Sequence, residues 1–555
     1  MATAAAQECT RSMGCTCPLC DMSAAAMGDD TAAGGAVAVE CTRSMGCKCP
    51  QCGMDMAALS DVTNQTGASA GADACAANGP APVYTFAALN FNGNRTPGDV
   101  YDVEKDGKLG SVYTMLTEVL ASRGDWKRAK AERKTIEAET EGGKKTDELK
   151  LPRSFQLLLG TAQGKGIKFG QLGYGMWPPP LVNYYRGFNC ICRKAMLIQT
   201  LREACSTPQE EHDIMSMMPE TFLFYPAHAD DAELNEHAQL AGAFAARAEQ
   251  LAALEVGEPV AAGMNLWILK PSDGAKGERI ELMSDIDQIQ AFLKAQTDSE
   301  ATSGWVVQRY IDRPLLLRGD RKFDVRCWVL LDPDYNIFLY REGVLRTGAV
   351  AYSVTAENLD DKFVHLTNHC IAAKHPDFGK FEATNEMFYL EFSAYLQEEF
   401  AGRNGRPTGE NLMDDVILPQ FKKIVVDSLE AARPKMAQGS DYYKSFHMFG
   451  YDFLIDADFD VKLCEINASP AVAEELMPKL VRDLIGVVVD GNEHLPAFGD
   501  EQQRGALSEA EAAWQADLAK YSTGLVKADE NGFELLSGPA MATGVEAGSE
   551  PEPSN

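Results

Sequence analysis

The chain has 555 residues, a formal net charge of −30, 45% hydrophobic and 24% charged residues. That length supports several domains around a sizeable core, and the acid excess argues against non-specific nucleic-acid binding. No run of about 18 apolar residues occurs, so no membrane span is expected. The N-terminus lacks the apolar core of a secretory signal and a clear Arg-rich transit pattern, so the expectation is a cytoplasmic protein; a monomer is expected.

Nine of the fifteen cysteines fall in the first 75 residues. ECTRSMGCTCPLCDM (Glu8–Met22) recurs as ECTRSMGCKCPQCGM (Glu40–Met54). The repeats supply Cys9, Cys15, Cys17, Cys20 and then Cys41, Cys47, Cys49, Cys52. Four such thiolates can close a tetrahedral Zn²⁺ site, and the interspersed methionines suit Cu(I). An unliganded, redox-sensitive segment is the other reading. The Ala/Gly-rich stretch from Gly67 to Pro82 reads as a flexible linker. The six later cysteines are scattered and read as reduced thiols.

Ordered sequence begins at Tyr84. Apolar residues at helical spacing predict a helix over Val112–Leu120. The basic run from Lys127 to Lys134 reads as a solvated helix face, Gly142–Pro152 as a loop, and Arg193–Leu201 as a helix. Residues 206–260, rich in Glu, Asp and Ala, read as exposed helix and loops. NLWILK then predicts a strand ending at Lys270, followed by the loop PSDGAKGER with Lys276 and a strand IELM. A strand, a glycine loop and a strand can cover phosphates, although no Gly-Lys-Ser/Thr of a Walker A loop is present. A plain surface hairpin fits equally.

Trp305–Leu317 predicts a buried strand. In Arg321–Leu331, Lys322, Asp324 and Arg326 share one face while Phe323, Val325 and Cys327 share the other. Three charges on so apolar a strand point to a polar cleft or to a salt-bridge ladder. NIFLYREGVLRT predicts a strand pair with Arg341 and Arg346 near a turn, and HLTNHC (His365–Cys370) supplies small hydrogen-bonding groups. Helices are expected over about 385–401 and 416–432. Phe446–Pro470 alternates about an Asp-rich turn and predicts a hairpin. With the turn centred on Asp458 and Phe459, Asp452 faces Glu465, and Asn467 shares its face. Buried and unpaired, these carboxylates would cost several kcal/mol, roughly, so Mg²⁺ with phosphate oxygens suits them; a solvated hairpin edge is the bland alternative. Beyond about Phe498 an acidic tail is expected to be mostly disordered.

LVNYYRG (Leu181–Gly187), GAKGE (Gly274–Glu278), RPLLL, RKFDVR, YREGVLRT, HLTNHC, NEMF, FGYDF and CEINASP together resemble the tubulin–tyrosine ligase family of the ATP-grasp superfamily, from about Tyr84 to Val489. LVNYYRG, YREGVLRT and HLTNHC look more like the tyrosine-adding branch than its glutamate- or glycine-adding relatives. The resemblance implies an α+β, ATP-grasp-like fold, with antiparallel sheets and flanking helices enclosing a nucleotide cleft; the Cys-rich N-terminus, which has no counterpart in the family, is expected to be a flexible extension. Expected divisions are 1–82, an N-terminal family domain at 83–169, a central domain at 170–309, a C-terminal domain at 310–497 and the tail at 498–555.

By the same resemblance, Lys270 and Lys322 would meet the phosphates of ATP and Asp324 would help order it, with Lys276 of the glycine loop a further candidate for the nucleotide. Gln308, Arg309, Tyr310 and Ile311 would form the adenine hinge, with Thr367 and Asn368 near the ribose. Asp452, Glu465 and Asn467 would hold Mg²⁺. Arg326 and Arg346 would act in catalysis on the acceptor carboxylate or its acyl phosphate. The implied reaction joins free tyrosine to the C-terminal glutamate of detyrosinated α-tubulin in the α/β-tubulin dimer. A glutamate or glycine ligase acting on tubulin or another acidic tail, or a non-catalytic tubulin-binding homologue, are the alternatives. Two positions depart from the family pattern: Arg279 stands where a second loop glycine is usual, and Gln171 where a basic residue is usual.

Overall fold

The computed structural model describes residues 84–88, 112–123, 125–129, 132–137, 145–150, 155–160, 167–173, 176, 178–229, 231, 233–253, 264–274, 277–296, 304–403, 407–436, 441–491, 526 and 530–539. The Cys repeats, the linker, Lys276 and much of the tail lie outside them. The chain divides into two units, 1–79 and 80–555, and every described element belongs to the second.

The strands run in order: β1 (Tyr84–Ala88), β2 (Trp126–Arg128), β3 (Glu132–Glu137), β4 (Lys145–Lys150), β5 (Leu157–Leu159), β6 (Leu181–Val182), β7 (Thr221–Phe224), β8 (Trp267–Pro271), β9 (Glu281–Met283), β10 (Trp305–Arg309), β11 (Leu316–Leu317), β12 (Arg321–Leu331), β13 (Ile337–Ala351), β14 (Glu386–Phe388), β15 (Lys444–Ser445), β16 (His447–Ile455), β17 (Val461–Asn467) and β18 (Phe533–Ser537).

The first sheet has the order β15-β6-β5-β1-β2, all its pairs parallel. The helix Val112–Ser122 buries Val112, Leu116, Val119 and Leu120, the helical repeat expected from the sequence. Two readings nearby are corrected. The basic run from Lys127 falls on β2 and β3 rather than on a helix, and the expected loop after Gly142 contains β4, which pairs antiparallel with β3.

The second sheet, β7-β10-β8-β9, is antiparallel throughout. Its β7, TFLF, is buried at every position, a strand missed within an acidic segment. Phe222, Phe224, Trp267, Leu269, Trp305 and Val307 pack on one face with Leu240, Ile289 and Leu293 of the helices His237–Ala253 and Ile286–Lys294.

The third sheet, β14-β13-β12-β16-β17, has β12 at its centre, buried along its whole length. Its apolar face meets the helices Tyr389–Phe400 and Leu418–Met436: Phe323 packs edge-on to Phe392 at 5.3 Å, and Phe453 stacks on Phe421 at 4.4 Å. That leaves the other face of β12 for polar groups. β13 is one fifteen-residue strand, not the expected strand pair. Gly343 marks no turn; a Cβ there would lie 2.2 Å from the Tyr389 hydroxyl, so the glycine admits an aromatic ring against the strand. The tail is also more ordered than expected, because β18 pairs antiparallel with the first half of β13 and seats Phe533 on Tyr340 at 4.8 Å. Among the described residues no helix is long and apolar enough to cross a membrane.

Candidate active site

Four neighbouring strands place the charged centre. Asp324 of β12 lies opposite Arg346 of β13, Arg326 of β12 opposite Asp452 of β16, and Asp452 opposite Glu465 of β17. Arg346 donates to Asp324 from Nε at 2.7 Å and Nη2 at 2.6 Å, and Nη2 also reaches Asp452 at 2.9 Å. Arg326 grips Asp452 with Nε and with Nη2, the latter at 2.8 Å. Asn467 donates to Asp452 at 3.2 Å. Burial pushes the Asp452 carboxyl up, but the two guanidinium groups outweigh it and hold it well below the usual range.

The cleft lies between this face and the second sheet. It encloses about 880 Å³ including its open mouth, lined among others by Lys194, Lys270, Gln308, Tyr310, Ile311, Lys322, Asp324, Arg346, Thr367, Asn368, Asp452, Cys464 and Glu465. Lys270 donates to Gln308 at 2.9 Å, and Gln308 donates to Thr221 at 2.8 Å. Lys322 donates to the Tyr310 hydroxyl at 2.9 Å and to the His365 carbonyl at 3.0 Å. Burial depresses both lysines, Lys322 to about 8.

Lys194, at the start of the helix Lys194–Glu203, pairs with Glu465 at 3.0 Å and donates to the Gly274 carbonyl at 2.9 Å. It thereby joins the hairpin to the β8–β9 loop. Gly277 in that loop has φ +74°, and a Cβ there would meet Ile371 at 2.8 Å and Leu366 at 3.2 Å. Arg279 also takes a left-handed conformation, φ 53°, which glycine adopts without steric cost. Its guanidinium lies 3.8 Å from Asp273 and 5.7 Å from the Trp305 ring centroid.

Four cations with side chains in the cleft, Lys194, Lys270, Lys322 and Arg346, stand beside three carboxylates, Asp324, Asp452 and Glu465, with Arg326 behind Asp452. Glu278 at the rim adds a fourth carboxylate, so the cleft gathers as many cations as acids although the chain as a whole carries net −30. Such a cleft suits a polyphosphate anion. The hard oxygen donors of the hairpin fit Mg²⁺ arriving with it. Glu465 and Asn467 would hold the ion; Asp452, its side chain only 3% exposed and its oxygens shared by two arginines, would sit behind them. Among the described residues no group of three or more His, Cys, Asp or Glu forms a metal site, and the eight repeat cysteines fall outside those residues.

The structure gathers most sequence candidates into this cleft and corrects two. Arg326 does not line it: the guanidinium is buried against Asp452 and Nη1 reaches the Ala471 carbonyl at 3.5 Å. Arg346 is not beyond a turn but bridges Asp324 and Asp452. Arg309 turns its side chain to Glu220 and to the Trp267 ring, 5.6 Å away, leaving its backbone to the hinge. Lys194, His365 and Cys464 were missed. In sequence, Lys194 is indistinguishable from a surface lysine at a helix start, and Cys464 from any other residue of an apolar strand.

Sheets closing on a cationic cleft, with a glycine loop at its edge, define an ATP-grasp-like domain. The profile of the tubulin-tyrosine ligase family matches residues 178–503, more than half of the chain, and the chain belongs to that family. It is 31% identical over 238 residues to tubulin glycylase 3C of Tetrahymena thermophila, covering 41% of this chain and 20% of the relative. Tubulin glycylase 3D of the same organism is 32% identical over 280 residues, 49% of this chain and 24% of the relative. Protein monoglycylase TTLL8 of Mus musculus is 30% identical over 239 residues, 41% and 27%. The matched segments thus span about a fifth to a quarter of these relatives' own length.

Proposed function

We propose that this chain is an ATP-dependent ligase that joins glycine to a carboxylate of tubulin. The observation that supports the ligase reading is the gathering of Lys194, Lys270, Lys322 and Arg346 in one cleft around paired carboxylates, an arrangement for a polyphosphate with its metal ion. The amino acid follows from the relatives, which are named glycylases; this revises the tyrosine reading drawn from LVNYYRG, YREGVLRT and HLTNHC. The cytoplasm is the proposed compartment, where thiols such as those of Cys190, Cys327 and Cys464 stay reduced.

In this reading the acceptor carboxylate attacks the γ-phosphorus, the bond to the bridging oxygen breaks, and ADP leaves. The amine then attacks the acyl phosphate carbonyl, loses a proton and expels phosphate. Lys270 and Lys322 neutralise the transferring oxygens, and Lys194 ties the β8–β9 loop over them. Asp324 and Asp452 keep Arg346 pointed across the floor. Mg²⁺, when bound, would neutralise further phosphate charge.

The test incubates the full chain with Mg-ATP and tubulin plus labelled glycine, tyrosine or glutamate, separately. Incorporation of glycine with matching ADP release is the expected result. Incorporation of tyrosine into detyrosinated tubulin would reinstate the first reading. ATP binding without ADP release under any of these conditions would mark a non-catalytic homologue.

A further inference from the structure

The lysine with the most unusual surroundings in the cleft is Lys322, and its partners form one directed chain. The ammonium has only donors, so the Tyr310 hydroxyl, 2.9 Å away, must accept from it. The hydroxyl proton is then left for His365 Nδ1, also at 2.9 Å. Nδ1 must be the unprotonated nitrogen, which puts the ring proton on Nε2, and Nε2 donates to the Asn358 carbonyl at 3.0 Å. One tautomer satisfies every bond. The rings also enclose the ammonium: the Tyr310 centroid lies 4.5 Å and the Tyr352 centroid 5.4 Å from Nζ. His365 itself is 3% exposed, and burial together with Lys322 favours its neutral form. Lys270, Asp324 and Cys464 also face Lys322, and Asp361 faces His365.

We propose that Tyr310 and His365 are positioning residues that hold the Lys322 ammonium toward the phosphates, so that hinge and phosphate site are aligned by a single hydrogen-bonded relay. The inference rests on the nucleotide reading of the cleft. Three geometric features support it. A lysine has four rotatable stem bonds and stays in one pose only when its donors are held. Tyr310 stands in the hinge at the end of β10, so the same residue serves both ends of a nucleotide. His365 fixes the hydroxyl rotor, which would otherwise turn freely about the C–O bond.

Calorimetric titration with Mg-ATP and with adenosine tests this without any acceptor or amino acid. Tyr310→Phe removes one oxygen and keeps the backbone; His365→Leu removes the acceptor; His365→Asn can return an oxygen near the place of Nδ1. Tyr310→Phe and His365→Leu should each weaken ATP about tenfold, the equivalent of about 1.4 kcal/mol, with adenosine affinity unchanged. The double variant should be no weaker than either single one, because one chain is broken only once. His365→Asn should recover most of the loss. Equal weakening of ATP and adenosine, or additive losses, would overturn the relay in favour of a structural role. Should His365→Leu not fold, Tyr310→Phe alone decides by the ATP-to-adenosine ratio. A parent protein that binds neither ligand would sink the nucleotide reading itself, whereas a parent that binds ATP and variants with an unchanged ratio would sink only the relay.

Discussion

Arg346 lies directly across the β12–β13 ladder from Asp324 and, through Nη2, also reaches Asp452 on the far side of β12. One guanidinium therefore spans three strands. Its side chain is 11% exposed and those of its partners 12% and 3%, so all three charges are removed from bulk water and depend on one another.

Arg346→Lys should consequently cost stability as well as binding. A lysine cannot reproduce two parallel bonds to Asp324 while also reaching Asp452. The expected loss is about 2 to 4 kcal/mol, somewhat below outright removal of a buried partner. Chemical denaturation and ATP titration on the same protein measure it. A variant with parental stability but no ligation would instead support the clamp on the acceptor that the sequence suggested.

Acid should reveal the same cluster. The Asp452 carboxyl is held below its ordinary value by Arg326 and Arg346 against the opposing effect of burial. Its contribution is complete above the unfolded value of about 3.9 and is lost as pH falls toward the depressed one. Asp452→Asn should therefore be less stable at pH 7 yet lose less between about pH 5 and 2. Parallel stability curves for the two proteins would refute the assignment.

The alkaline side belongs to Lys322. Burial holds it at about 8, below the unfolded value of about 10.4. Between these values the unfolded chain binds the extra proton, so this group makes folding more favourable as pH rises. ATP affinity should move the other way, falling as the ammonium deprotonates above pH 8. In Lys322→Arg that fall should vanish up to about pH 10, since guanidinium stays charged. A parental affinity flat from pH 7 to 9.5 would contradict the role.

How far this site was legible is best judged at Asp452 and Glu465. They do face each other as the alternation implied, but not by the path assumed. Ile455 pairs with Val461, Leu454 with Lys462 and Phe453 with Leu463. Continued unbroken, that register would set Asp452 against Cys464. A bulge at Cys464 shifts it by one and restores Glu465. Bulges leave little trace in a hydrophobic pattern, so the correct pairing came partly from an incorrectly centred turn. At Gly343 the pattern misled, because a glycine after Arg341 and Glu342 reads as a turn when its purpose is to admit Tyr389. Lys194 gave no signal, since its partner lies 271 positions away. By contrast, Lys322 and Asp324 were readable, because charge alternating with Phe323 and Val325 on so apolar a strand points to a polar cleft or a salt-bridge ladder, and the Asp324–Arg346 pair lies at the edge of such a cleft.

The tail offers the last test. Asp483 and Lys479 are buried, at 1% and 0% side-chain exposure, and pair at 2.6 Å. Their remaining hydrogen-bonding capacity is met largely by the tail: Lys479 donates to the Glu530 carbonyl at 2.6 Å, and the Gly532 amide to Asp483 at 3.0 Å. Tyr340 also donates to Asp483, at 2.8 Å, and Phe533 covers the Tyr340 ring. Deleting residues 526–555 would strip this cover and open the ion pair to incomplete satisfaction. The expected loss is about 3 to 5 kcal/mol, with a lower melting temperature. The strap pairs with Ile337–Tyr340, and Gly532 accepts from the Arg341 amide, several residues from Arg346, so ATP affinity of the folded fraction should change less than twofold. In the full chain, Lys479→Met should reproduce the stability loss by leaving Asp483 without its cation. A truncated chain that melts with the parent would show that β18 contributes nothing to the fold, and a truncated chain that stays folded but loses ATP would show that the strap acts on the cleft.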